Sequence, residues 1–396
     1  RICNSFAIKR ENIRISVTHT HSGPALGDGG WLIGGKEYIE PYRRILPELI
    51  FRSVNDSMND PVPSRIGIKE GFCDININRR PADHTGKLFT GRNWEGVVDH
   101  EVIVIGIDDI DGKPIATIVN YACHPTVLGP ENRLISPDFP GHMRAIVESN
   151  VDGLCLFLQG AGGNQGPVHG FVGDVEVARK AGKILGLEVS KLRIELDPFK
   201  RKEELIDIVP SGADLGIYED LPVGEPSDVI KVLNKKIELP SLDFPTIDKA
   251  EESYQKAIED LQLARKSEDD ILIKSRVSTT KRAGFIKNLS KIAEPGKVQL
   301  WIQTIRVGDV IFQSLPVEPF AESGIEVKGT ELSGSKVVFS GYSNGSLGYL
   351  PTGRRRARPQ DGARGLAAVA DDACRRDPGE GDRGRPLWAR HLPRLF

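Results

Sequence analysis

Ile13, Ile15, Val17, His19 and His21 fall on alternate positions of one segment, with Arg14, Ser16, Thr18 and Thr20 between them, and the run ends in Ser22-Gly23-Pro24. Strand side chains alternate between faces, so the pattern predicts a strand over 12–19 whose core side carries three aliphatics and both imidazoles. A buried imidazole needs partners for both ring nitrogens. Two of them at a strand end therefore read either as hydrogen-bonded core histidines or as one wall of a site that holds a metal or handles a proton.

Apolar runs bounded by turn residues predict further strands over 64–69, 101–108, 114–122, 153–158, 230–238, 298–306, 309–315 and 336–341. Helical spacing covers 38–58, 141–150, 172–192, 248–266, 279–292 and 319–328. The two types interleave without a strict βαβ rhythm, which points to an α/β fold of the mixed, layered α+β kind, with mixed sheets flanked by helices. Residues 201–292 are richer in Lys and Glu and read as a peripheral insertion with a helical hairpin after Pro245. Residues 1–352 then form the main unit.

From Gly353 to Phe396 the composition changes abruptly, to eleven Arg with no Lys and no Ile. A basic nucleic-acid tail would mix Lys with Arg, so this segment reads as an aberrant, Arg-rich frameshift product. A net charge of −2 gives no sign of a nucleic-acid or membrane-surface role, and no run of apolar residues is long enough for a transmembrane helix. Cys3, Cys73, Cys123, Cys155 and Cys374 show neither CxxC spacing nor a paired framework. Cys123 and Cys155 read as small core residues. This usage favours a reduced, cytoplasmic setting, with secretion as the alternative because the chain starts at Arg1 and a leader would precede it. The oligomeric state is not encoded in any motif.

Three other places put metal-binding side chains at strand ends. His124 follows the 114–122 run and precedes Pro125, which ends the strand. Glu318 sits between Pro316 and Pro319, just before a helical pattern, where a carboxylate also suits a helix N-terminus. Tyr342 and Tyr349 lie in a glycine-rich loop after the last strand. The turn Gly160-Ala161-Gly162-Gly163 has neither a GK[ST] nor a GxGxxG register, so it reads as a close backbone approach to a site. Asp99-His100 and Asp138 with His142 are further site-adjacent possibilities, and no G-x-S-x-G elbow is present.

Five segments in order, THTHSGP (18–24), NYACHPT (120–126), FLQGAGGNQGP (157–167), LPVEPF (315–320) and GYSNGSLGYLPT (341–352), resemble the motif series of the neutral/alkaline, non-lysosomal ceramidase family, in its N-terminal catalytic domain. The resemblance implies zinc as cofactor, with His19, His124, Glu318 and Tyr349 as ligands. It implies His21 as an active-site histidine beside the metal, and Arg79 of the Asn78-Arg79 element as the anchor of the substrate's polar group. Two imidazoles, a carboxylate and a phenol oxygen suit zinc, so the expected reaction is hydrolysis of an N-acyl amide linkage by metal-activated water, with His21 shuttling the proton. Coordination would also depress the Tyr349 pKa. The implied partner is a small-molecule or lipid N-acyl substrate.

Two features depart from ceramidases proper. Where they carry a Gly-Asp-Val-Ser-Pro segment with a nucleophilic serine, this chain has Gly163-Asn164-Gln165-Gly166-Pro167, and Gly166 has nothing to attack with. Those enzymes continue into an immunoglobulin-like domain, whereas this sequence leaves the family pattern at about Thr352. These departures leave open a zinc deacetylase or esterase, or a non-catalytic binder of lipid or glycan.

Overall fold

The computed structural model describes residues 1–24, 26, 36–241, 244–267, 269–293, 296–330 and 335–352. The Arg-rich segment 353–396 lies outside them, as do Cys374 and the proposed frameshift.

Along the chain, helices α1 (Ile2–Phe6) and α2 (Lys36–Asn59) precede strands β1 (Ser64–Phe72), β2 (Asn76–Asn78), β3 (Glu101–Asp109) and β4 (Pro114–Tyr121). Helix α3 (Asp138–Asn150), strands β5 (Leu154–Gln159) and β6 (Gln165–Pro167) and helix α4 (Val175–Ile194) follow. Next come a hairpin of β7 (Arg201–Val209) and β8 (Leu215–Pro222), strand β9 (Ile230–Pro240), and helices α5 (Ile247–Lys266) and α6 (Asp270–Ile292). The remainder is β10 (Lys297–Val307), β11 (Val310–Ser314), β12 (Glu318–Pro319), α7 (Ala321–Lys328), β13 (Lys336–Ser340) and β14 (Tyr349–Leu350).

Two four-stranded mixed sheets form the body, in the orders β1-β3-β4-β5 and β13-β11-β10-β9. The side-chain alternation of β3 explains how they stack. Val102 and Val104 join Val119, Tyr121 and Phe157 under α3 and α4, whereas Ile103 and Ile105 join Val310, Phe312 and Val338 between the two sheets. On the far face of the second sheet, Leu300, Ile302, Val337 and Phe339 pack with Leu289 of α6 and Val327 of α7. The result is four layers, helix, sheet, sheet and helix, which matches the mixed layered α/β expectation. α3 and α4 pack closely because Gly182 offers no side chain, and a Cβ there would lie 2.5 Å from that of His142.

Most predicted elements are found within a few residues, but two differences stand out. Helix α6 begins at Asp270, well before the predicted 279, with the Asp269 carboxylate capping the amides of Ile271 and Leu272. The predicted strand over 12–19 does not form. Its one ladder contact is an isolated bridge from Ser16 to Ser343. Ile15 and Val17 are about half exposed, at 50% and 48%, so the aliphatic face is not the buried one. The polar alternation faces inward instead. Ser16 Oγ meets Ser343 Oγ at 2.7 Å, Gln303 Nε2 donates to the carbonyl of Glu11 at 2.9 Å, and the amide of Ile15 donates to Asn344 Oδ1 at 2.8 Å. Residues 12–19 are thus a strap held by polar groups across the loop after β13.

Of residues 201–292, the β7–β8 hairpin stands outside both sheets, while β9 pairs along the whole of β10. Among the described residues no helix is long and apolar enough to cross a membrane.

Candidate metal centre

His124 comes off the end of β4 into the core and is fully buried. Its Nδ1 lies 2.6 Å from the carbonyl oxygen of Gly162. A carbonyl only accepts, so Nδ1 carries the hydrogen and Nε2 presents its lone pair to the site. The glycine-rich turn 160–163 is therefore a close backbone approach, as expected, and it also reaches the carboxylate side: Gly163 donates its amide to the carbonyl of Pro319 at 2.8 Å.

Glu318 and Tyr349 are register partners in the short parallel pair β12–β14. The chain is pinned there, since Glu318 donates its amide to Gly348 O at 2.8 Å and Phe320 to Leu350 O at 3.1 Å. Glu318 Oε2 lies 3.4 Å from His124 Nε2 and 3.6 Å from His19 Nε2, and it is buried without a hydrogen-bond partner.

The strap delivers the other two imidazoles. His19 adopts a left-handed backbone (φ 64°), which breaks the alternation and turns its ring inward. Tyr342 (φ 55°) and Asn344 (φ 57°), on the loop that holds the strap, share this uncommon conformation, so three strained residues gather where the strap meets the site. The His19 ring lies 4.4 Å from that of Tyr342, between centroids. Its Nε2 is 3.1 Å from His124 Nε2 and 3.3 Å from His21 Nε2. The nitrogens of His19, His21 and His124 all fall within 4.8 Å of one another.

This electrostatic setting keeps the donors neutral. Burial, reinforced by the neighbouring His124, pushes the His19 pKa down to about 2 despite the facing Glu318 carboxylate. Burial and Arg79 likewise lower that of His124. Tyr349 moves upward, because burial and Glu318 outweigh the pull of Arg79 and Arg80, so its phenol stays protonated. The expected depression of the Tyr349 pKa thus belongs only to a coordinated state.

Arg79 is buried rather than a solvated surface residue. Its Nη2 donates to Gly163 O and to Tyr349 Oη, each at 3.0 Å, and lies 3.1 Å from His124 Nε2. The six residues singled out from sequence, His19, His21, Arg79, His124, Glu318 and Tyr349, therefore meet in one place.

The donor set fits zinc. Bonds of about 2.0–2.1 Å in a tetrahedron require donor atoms about 3.3–3.4 Å apart. The three separations among His19 Nε2, His124 Nε2 and Glu318 Oε2 are 3.1, 3.6 and 3.4 Å. A cation there would also pair the orphaned carboxylate oxygen.

Two other possibilities lie elsewhere. Asp138, also in a left-handed backbone (φ 57°), accepts the amides of Leu128 at 2.9 Å and Phe139 at 2.7 Å and so pins the loop after His124. His142 faces α4, and Asp99 is held by Lys328 Nζ at 2.7 Å. Sequence reasoning missed the supporting role of Tyr342, whose hydroxyl faces Glu318, although it sits in the same glycine-rich motif as Tyr349.

Similarity to known proteins bears on the fold and on the sequence of residues 4–171. Residues 4–171 match the family model of the N-terminal region of neutral/alkaline non-lysosomal ceramidase. Neutral ceramidase A of Dictyostelium discoideum is 28% identical over 148 residues, covering 36% of this chain and 21% of the relative. Neutral ceramidase of Oryza sativa subsp. japonica is 27% identical over 161 residues, covering 39% and 20%. The crystal structure of neutral ceramidase from Pseudomonas aeruginosa shares the fold, with a TM-score of 0.61 and 18% identity over 93% of this chain and 61% of that one. The chain thus matches about a fifth of the length of these curated relatives.

Proposed function

We propose that the chain, whose residues 4–171 match the N-terminal model of neutral/alkaline non-lysosomal ceramidase, is a member of that family and a zinc-dependent hydrolase of an N-acyl amide linkage. The observation that carries this reading is the convergence of His19 Nε2, His124 Nε2 and the orphaned Glu318 Oε2 at zinc-donor spacing. His19, His124, Glu318 and Tyr349 would hold the metal. When bound, zinc supplies Lewis acidity for a carbonyl and for water.

The chain's own residues supply the rest. Arg79 holds its guanidinium against Tyr349 and His124, where it hydrogen-bonds the polar group of the substrate and stabilises charge as it develops on the acyl oxygen. His21, on the exposed side of the cluster, takes the proton of the attacking water and returns it to the departing amine. Water attacks because position 166 is a glycine. The neutral ceramidases among its relatives favour a ceramide-like lipid amide as substrate.

The test is turnover by the zinc-loaded chain on N-acyl sphingosine, N-acyl amino acids and acetylated sugars. Release of free acid or amine from an N-acyl probe, abolished by a chelator and restored by zinc, is the expected result. Zinc uptake without turnover on any probe would leave a metal-containing binding protein and refute the hydrolase.

A further inference from the structure

Glu318 Oε2, Tyr342 Oη and Thr126 Oγ1 are buried oxygens around the site that lack a hydrogen-bond partner. A cation accounts for the first, the second faces the Glu318 carboxylate, and the third has neither within reach. Thr126 is 1% exposed. Its amide donates to His124 O at 2.8 Å and its carbonyl accepts from Phe171 at 2.9 Å, so only the hydroxyl goes unpaired. A buried hydroxyl left unpaired destabilises a fold, and a valine of the same shape would avoid the penalty.

Its surroundings face the site. Thr126 stands two residues after His124, and the intervening Pro125 carbonyl accepts the amide of His21 at 3.3 Å. A Cβ on Gly166 would lie 3.9 Å from Thr126 Oγ1 and 3.3 Å from Arg79 Cδ. The bare backbone of Gly166 therefore separates a free hydroxyl from the arm of the arginine that reaches Tyr349 and His124. With a larger residue at 166, the arginine arm would have to shift by a few tenths of an ångström.

We propose that Thr126 is a substrate-contacting residue, whose hydroxyl hydrogen-bonds a substrate oxygen held beside the Arg79 guanidinium. The proposal rests on the hydrolase reading for the identity of that oxygen, but not for the existence of the contact. It is tested with Thr126→Val and Thr126→Ser in the full chain, by melting of the metal-free protein, zinc stoichiometry, and kcat/KM on the N-acyl probe that the wild type cleaves. Thr126→Val is expected to keep zinc, to melt at or above the wild-type temperature, and to lose at least tenfold in kcat/KM. Thr126→Ser is expected to stay within about threefold of wild type.

A Thr126→Val protein that melts about 3 °C or more below wild type gives the hydroxyl a structural partner and overturns the proposal. So does unchanged kcat/KM. If the wild type cleaves no N-acyl probe, the hydrolase reading fails by itself, and melting still decides: a raised temperature supports a hydroxyl reserved for a ligand, and a lowered one refutes it.

Discussion

His124 and His19 present the same atom to the same point, but they arrive by different routes. His124 comes from β4, a strand covered by helices on one face and by the second sheet on the other. His19 comes from a strap with about half-exposed aliphatics and a few polar attachments to the loop after β13. One half of the site is thus built by the core, and the other is laid over it. A core-borne donor is fixed by the free energy of the whole fold, whereas a strap-borne donor is fixed only by local bonds that open at lower cost. The site can therefore come apart without the protein unfolding.

The largest expected contrast is between His124→Ala and His19→Ala, both metal-free. Removing the fully buried His124 ring leaves a cavity and takes one of two donors from the Gly162 carbonyl, which keeps the Gln165 amide, so its variant should lose about 2–4 kcal/mol in denaturant unfolding, mostly through the cavity. His19→Ala should lose about 1 kcal/mol or less. Equal losses would break the distinction between core and strap.

Acid should act on the two donors alike, although one is borne by the core and the other by the strap. Both histidines have folded pKa values below the unfolded value of about 6.5, His19 down to about 2. Folding therefore favours the neutral rings, and the stability they contribute is present above pH 6.5 and is lost as pH falls below it, by up to about 1.4 kcal/mol per pH unit for each group. The fall should be shallower than in wild type in both His124→Ala and His19→Ala, and by a similar amount, because each ring stays neutral in the folded chain while its unfolded counterpart takes up a proton. Urea titrations from pH 7 to pH 5 measure these slopes. A stability that rises toward pH 5 would contradict the neutral-donor account.

Core and strap also differ in how far they could be read from the sequence. Val102 to Ile105 lie in a near-continuous apolar run, because both faces of β3 are covered, and such a run is plain in the residues. His124 and Glu318 were legible because proline fixes where their segments stop. The strap was misread because alternating β-branched residues carry the same signal whether or not a neighbouring strand receives them. Here the loop at 342–344 takes up the polar face instead. The β7–β8 hairpin escaped notice because its residues are exposed on both faces, which leaves no buried side to pattern.

A smaller effect sharpens the role of the strap. Asn344→Gly keeps a backbone tolerant of φ 57° and removes the acceptor of the Ile15 amide. Unfolding free energy should fall by no more than about 1 kcal/mol, while zinc affinity falls about tenfold because His19 is held less firmly. An unchanged affinity would mean that the strap contributes no orientation to its donor.

The most direct test is the zinc content of the purified chain, by elemental analysis, for wild type, His19→Ala and His124→Ala. The account predicts about one zinc per chain in wild type and less than about a tenth in either variant, with His19→Ala still folded by circular dichroism. A full complement of zinc in His19→Ala, or none in the wild type after reconstitution, would contradict it.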